Sequence, residues 1–512
     1  MRIPELPYNM SPNKMEIVQM RGINWSDNLR DGDLRDSLNL SARRWPYITT
    51  RKGRVKQTAY QNVTALTAWD KLVAVQGTSL LYDGRVVGTV TAGKKQFAVV
   101  NTKMVIWPDK VYLDITSRSV KPLAASLTGS KATFTKNKMT VAGWTNLTTK
   151  FKAGDGITIS GCTTKTENNK DIVIKSVTAT EITVADNTFT EATEASTAIK
   201  LERKIPDLDF ICESENRLWG CDNTTQTIYA SALGDPTNFF VYEGVSTDSY
   251  ALAVGTDGQF TGCCKLSSSV LFWKETKLHK MLGGYPAEYA MYTYEMEGLQ
   301  SGCHKSQQVI NDTLFYKGPH GVYAYSGGTP ALISENFGEK EFTDAVGGND
   351  GDSYYLSVKD GAAYRLMVYE TKTGIWVLED DTEAVDFARI GKTLYMLDGD
   401  GNVRLLDSAD TPQTQPWMLQ FAPMYETLNG KKAYSKIMIR MELPQGSYTI
   451  AKVRCDGKPW QECGRVVGRD FNVSTMRLSA NRCDKFELRL EGSGPCTILG
   501  ITREFIVGSD VK

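Results

Sequence analysis

Helical periodicity is nearly absent from this chain of 512 residues. Apolar residues seldom recur at the three- and four-residue intervals of an amphipathic helix, which excludes bundles and doubly wound α/β sheets as the main architecture. No stretch approaches 18 consecutive apolar residues, which excludes a spanning helix. The opening MRIPELPYNMSPNK lacks the apolar core of an export signal. The ten cysteines are therefore expected to stay reduced and to fill small core positions. There is no excess charge of either sign, with 59 basic and 59 acidic residues, so no global field draws the molecule to nucleic acid or membrane.

Catalytic and metal-binding signatures are equally scarce. Only three histidines exist, His279, His304 and His320, and none has a partner four residues on, so a helical zinc pair is excluded. There is no GxSxG elbow, Walker loop or dinucleotide fingerprint. LDGDGNV from Leu397 imitates a calcium loop, but Val403 stands where glycine is required and Ala409 where the bidentate acid belongs, so a turn is expected. No metal or cofactor is expected. Two acid pairs, Asp350 with Asp352 and Asp380 with Asp381, meet the minimum for a glycosidase, but both sit among turn residues.

What is present is a repeated hairpin. It reads KLVAVQGTSLLYDGRVVG from Lys71 and recurs from Lys103, Arg217, Ser269, Thr313, Ser353 and Thr393. Successive copies start roughly 30 to 50 residues apart, the spacing of four-stranded blades, except for one long gap. The expectation is an all-β chain built on a β-propeller of about six to eight blades. Residues 61–121 and 205–410 supply the blades, and 1–60 an N-terminal arm and closing segment. The gap, 122–204, turns to Thr, Lys, Ala and Gly and carries short alternating strands such as GDGITISGC, which predicts a small inserted β-barrel or sandwich. Past the linker SADTPQTQP, residues 413–512 alternate as a C-terminal β-sandwich. From Trp417 to Lys512 there are 15 basic and 10 acidic residues, which favours an acidic neighbour.

The charge balance also fails locally. RRWPYITTRKGRVK carries Arg43, Arg44, Arg51, Lys52, Arg54 and Lys56 with no acid. These six are the candidate contacts to an acidic partner or DNA, against the plainer reading of a solvated strand and turn at the propeller closure. In YASALGDPTNFFVYEG, Pro236 makes a rigid exit from a strand, Asp235 or Asn238 caps the turn, and Phe239, Phe240 and Tyr242 are expected to cover the next blade edge.

These residues also carry a resemblance. TIYASALGDPTNFFVYEG resembles a stretch of tail and neck proteins of double-stranded DNA phages, especially nozzle, hub and packaged-DNA stabilisation proteins. RGINWSDNLRDGDLRDSLNLSARRWPYITTRKGR is similar to that family's opening at Gly22, Asn24, Asp31, Gly32, Leu34, Asn39, Leu40, Pro46 and Arg51. CDGKPWQECGRV and NRCDKFELRLEGSGPCTILGITREFIVGSD resemble its C-terminal module. The resemblance implies a virion protein of the tail, assembled in the bacterial cytoplasm, that forms a ring of about six copies on the tail axis. It implies portal, adaptor or other tail proteins as partners, transient contact with DNA in the channel, and no catalytic residues. The competing function is a host-surface binding protein, with Trp417, Tyr448 and Trp460 as candidate glycan-stacking faces. A propeller glycosidase or lyase is the third reading.

Overall fold

The computed structural model describes residues 12–195, 198–408, 415–426, 430–478 and 482–507. Residues 1–11 of the expected arm and most of the linker lie outside them. Apart from short 3-10 turns, every regular element among the described residues is a strand. None of their helices is long and apolar enough to cross a membrane.

Seven four-stranded antiparallel sheets form the blades: 63–89, 96–122, 210–253, 262–295, 308–332, 343–380, and 384–408 completed by Gly53–Lys56. Each of the seven hairpins read in the sequence falls in one blade. The hairpins form because period-2 apolar runs meet turns of the right hand. Asp83-Gly84, Glu215-Asn216 and Asn311-Asp312 all have φ between 48° and 73°, as a two-residue turn between right-twisted strands requires.

Large aromatics fill the seams. Trp107 packs with Phe239 between blades 2 and 3, and Trp219 with Phe272 between blades 3 and 4. Trp273 lies 4.8 Å from Tyr316 between blades 4 and 5. Blade 7 closes on blade 1 through a core shared by Leu66, Leu72, Ala388, Leu397 and Val403. Its outer strand is supplied from the other end of the chain, with Val55 opposite Leu405 and Lys56 opposite Arg404.

The insertion spans Ala125–Arg203 between blades 2 and 3, in one eight-stranded sheet. Ala125–Thr135 bends at Lys131, where the register shifts. Its first half pairs with Ile199–Arg203 and its second with Lys138–Ala142. Phe134, Trp144, Leu147, Phe151 and Ile159 belong to a core of its own.

The N-terminal segment is more than an arm. Asn13–Ile17, Leu40–Ser41 and Ile48–Thr50 join a seven-stranded sheet with Lys432–Leu443, Asp470–Arg477, Arg482–Cys483 and Thr497–Val507. Gly22–Ile23 and Asp33–Leu38 join Trp417–Phe421, Tyr448–Cys455, Gln461–Val467 and Phe486–Ser493 in a six-stranded sheet. The sandwich is thus sewn from both ends of the chain, and only Gly53–Lys56 of the segment completes a blade. Its core runs without a break from Trp417, Tyr434 and Phe486 into Tyr354 and Trp376 of blade 6. All ten cysteines are free thiols.

Candidate functional site

The GDPTNF stretch is a joint. Asp235 accepts hydrogen bonds from the Thr237 N–H at 3.1 Å and hydroxyl at 2.6 Å, fixing the turn. Asn238 then reaches out of the blade and donates to Asp155 of the insertion, a carboxylate with no exposed surface. Arg203, the last residue of the insertion's sheet, donates to Asp155 at 3.0 Å and to Thr237 at 3.2 Å. Gly156 N–H donates to Phe240 carbonyl at 2.6 Å, and a side chain on Gly156 would strike the Phe240 Cβ at 2.7 Å. Phe239 is buried in the seam between blades 2 and 3, as expected of a sealing aromatic. Phe240 and Tyr242 depart from expectation. They line a groove of about 220 Å³ against Ile157, Ile172 and Val173 of the insertion, and Tyr242 stays half exposed.

The opening motif is a second joint. Gly22 has φ +81° and lies so near blade 6 that a Cβ would meet Ile375 and the Trp376 carbonyl at 2.5 Å, so only glycine fits. Asn24 donates to Asp33 at 2.7 Å. Asn39 donates to the Pro416 carbonyl at 2.7 Å and accepts from Arg51 at 2.8 Å, tying both chain ends together. Asp31 and Glu426 both receive Arg503, whose side chain is 2% exposed. Pro46 carbonyl accepts from Met20 N–H at 3.0 Å.

Four of the six basic candidates are engaged within the molecule. Arg54 lies 2.6 Å from Glu379 and 2.8 Å from Asp380, and Arg51 lies 3.9 and 3.7 Å from the same pair. Arg43 pairs with Asp350 and donates to Tyr355 at 2.7 Å. Arg44 pairs with Glu442 at 2.6 Å, and Lys52 and Lys56 are exposed. Sequence reading named Asp350 and Asp380 but did not pair any of these acids with the cations, from which they lie 307 to 398 residues away. A cleft of about 580 Å³ lies here, lined by Arg51, Arg54, Asp380, Asp381, Asp398 and Arg404.

The acid pairs are placed in ion pairs. Burial would raise the Asp380 carboxyl, but Arg54, Thr382 and Arg51 hold it below its ordinary value. Asp381 pairs with Arg365 at 3.2 Å. Asp352 is held low by Lys372, 2.8 Å away. In the LDGDGNV loop Asp398 accepts from Asn402 N–H at 2.8 Å and Arg404 at 2.7 Å, the bonds of a closed turn. Among the described residues no three His, Cys, Asp or Glu side chains converge as metal ligands would.

Side chains reach across the propeller's centre, beside a cavity of about 210 Å³ lined by inner strands of all seven blades. The 3-10 turn His304–Ser306, from the link between blades 4 and 5, crosses to Phe210 of blade 3 and Asp386 of blade 7. Asp386 is pushed up by burial, opposed by the charge of Lys305 and the Leu66 N–H. The polar HK dipeptide between apolar strands was the available signal. Burial lowers His304 to about 4, helped by Lys305 and Lys94. Burial likewise lowers His279 to about 4, helped by Lys274 and Lys277. The unfolded chain takes up these protons near 6.5 and the folded one only near 4. Stability is thus complete above pH 6.5 and falls on acidification, by roughly 1.4 kcal/mol per pH unit for the fully buried His279. A melting temperature that declines from pH 7 to 5, and declines less in His279→Gln, is the expected result; equal slopes would refute it.

Of the glycan candidates, Trp417 is 1% exposed and belongs to the sandwich core. Arg454 and Arg489 lie over the Trp460 ring at 4.6 and 4.5 Å, and Arg465 over the Tyr448 ring at 4.4 Å. Exposed rings occur elsewhere, at Tyr292 and Tyr294 on the outer strand of blade 4.

No family model matches the chain, and no curated protein matches it in sequence. Among solved structures it is similar to an exo-β-1,3-galactanase from Phanerochaete chrysosporium, at 8% identity and a TM-score of 0.23 over 56% of this chain and 92% of that one. It is similar to PorZ, a surface component of the type-IX secretion system of Porphyromonas gingivalis, at 8% identity and 0.28 over 88% and 77%. Kluyveromyces lactis Hsv2 aligns at 8% identity and 0.27 over 62% and 97%. No residue correspondence follows from these similarities.

Proposed function

We propose that the protein is a non-catalytic structural component of a tailed double-stranded DNA phage virion. It forms a ring at the nozzle, hub or head–tail junction that retains or guides packaged DNA. One observation carries this reading: the residues of the family resemblance are the joints of the molecule. Gly22, Asn24, Asn39 and Arg51 bind the sandwich to itself and to blade 6, Asn238 binds blade 3 to Asp155 of the insertion from a turn fixed by Asp235, and Phe239 seals blade 2 to blade 3. Such joints make three modules one stiff body, which suits a part that bears load. With the propeller's centre crossed by His304 and Lys305, DNA would pass through a channel between copies. A chain without net charge suits passage, because strong phosphate binding would stall it.

Exposed Tyr292 and Tyr294 favour a second reading, host-glycan binding, at a place other than the three candidate rings. Negative-stain images of the purified protein, beside virions labelled with an antibody to it, decide between them. Rings and axial label are expected; monomers with label at the tail periphery, or turnover of host polysaccharide, would overturn the proposal.

A further inference from the structure

Among the described residues, one side of the C-terminal sandwich leaves the edges of both sheets open. Its six-stranded sheet ends at Gln461–Val467, which among the described residues pairs with Tyr448–Cys455 and no further strand. Its seven-stranded sheet ends at Asp470–Arg477, paired with Lys432–Leu443 alone. Gly468 and Arg469 join the two, so neighbouring strands in sequence form the open edges of both sheets. On the far side Gly22–Ile23 and Leu40–Ser41 pack on Ile375–Asp380 of blade 6, and the five-residue Asn13–Ile17 pairs with Thr497–Val507.

Natural edge strands are kept short or protected by proline, bulges or a covering loop, because a bare row of N–H and C=O groups recruits another strand. Neither strand contains proline; Gln461–Val467, of seven residues, bulges at Cys463, whereas Asp470–Arg477, of eight, pairs with no register shift and is the barer edge. Each carries an exposed β-branched residue, Val467 at 61% and Val473 at 57%.

Charge gives the partner's character. Several cations elsewhere in the sandwich are matched, Lys432 with Asp484, Lys436 with Glu504, Lys452 with Glu491, Arg454 with Glu487 and Arg503 with Glu426, while Lys431, Lys458 and Arg482 are exposed without an ion pair among the described residues. Arg440, Arg465, Arg469 and Arg477 are exposed, and no ion pair forms to any of them among the described residues. Glu462 and Asp470 are the acids on these two strands. Four of the domain's exposed, unmatched cations therefore stand at or beside the open side. Val473, Thr475 and Arg477 point outward on one edge, with Arg440 directly opposite Val473 on the next strand. Arg465 stands on the other sheet. The arginines straddle a thin edge instead of forming one plane, an arrangement that fits an extended chain with acids at alternate positions better than a duplex.

We infer that this edge docks an extended acidic segment of a partner protein, which adds as a further strand. The inference rests on strand geometry and charge, and holds whether or not the protein serves in a virion. The test uses the whole protein and a fluorescein-labelled ten-residue peptide of alternating Glu and Val, read by fluorescence polarisation. Saturable binding is expected, weakened at least tenfold in R440E/R477E, whose exposed substitutions should leave the melting temperature unchanged. Methylating alternate backbone nitrogens of the peptide keeps its charge and removes its donors, and should abolish binding to the unaltered protein. Equal binding of the methylated peptide would reduce the site to a charge patch and overturn the inference. So would absence of peptide binding, or tighter binding of a 20-base-pair duplex than of the peptide.

Discussion

Asp155→Ala is expected to destabilise the joint between insertion and propeller by about 3–5 kcal/mol, the cost of stranding a buried charge. Asp155 has no exposed surface and is the common acceptor of Arg203 and Asn238. Without it, Arg203, with a side chain only 10% exposed, keeps its charge and loses its counterion. Because the insertion has its own core, the damage should stay local. Calorimetry should resolve an early transition below the propeller's, and proteolysis should cut first at the connections on either side of 125–203. D155L/R203M, which removes both charges, should recover most of the loss. Asn238→Ala should cost less, about 1–3 kcal/mol for an unmet hydrogen bond. A single unchanged transition in Asp155→Ala would mean that the network does not hold the insertion.

The blades were legible because their information is local. Period-2 apolar runs and turn residues such as Asp83-Gly84 and Asn311-Asp312 lie within one hairpin, and the insertion announced itself by composition. The sandwich was half legible for the opposite reason. Asn13–Ile17 pairs with Ile501–Phe505, and Asp33–Leu38 with Trp417–Phe421. Strands of two to six residues give no clue to partners nearly the whole chain away. The basic run shows the same limit. Six cations can be counted, but Glu379, Asp380 and Asp350 of blade 6 and Glu442 of the sandwich, which take four of them, are brought near only by the tertiary fold. Aromatic residues are ambiguous in this way too, since Trp417 in the core and Tyr292 on the surface both occupy alternating strands.

Charge reversal in the basic run would therefore measure folding before it measured any contact with a partner. Glu379→Ala is expected to cost about 3–5 kcal/mol, because it removes a buried carboxylate that faces both Arg51 and Arg54, 7% and 9% exposed. Arg54 lies on Gly53–Lys56, the strand that completes blade 7, so the charges hold the wheel shut where the chain's two ends meet. The loss should consequently spread through the propeller, lowering the urea midpoint of tryptophan fluorescence in one step. Lys52→Glu with Lys56→Glu changes net charge by more, yet both residues are exposed, and the cost should stay within about 0.5 kcal/mol. That contrast separates closure from surface charge. Equal midpoints for Glu379→Ala and the unaltered protein would show that apolar contacts such as Leu66 with Leu397 close the ring unaided.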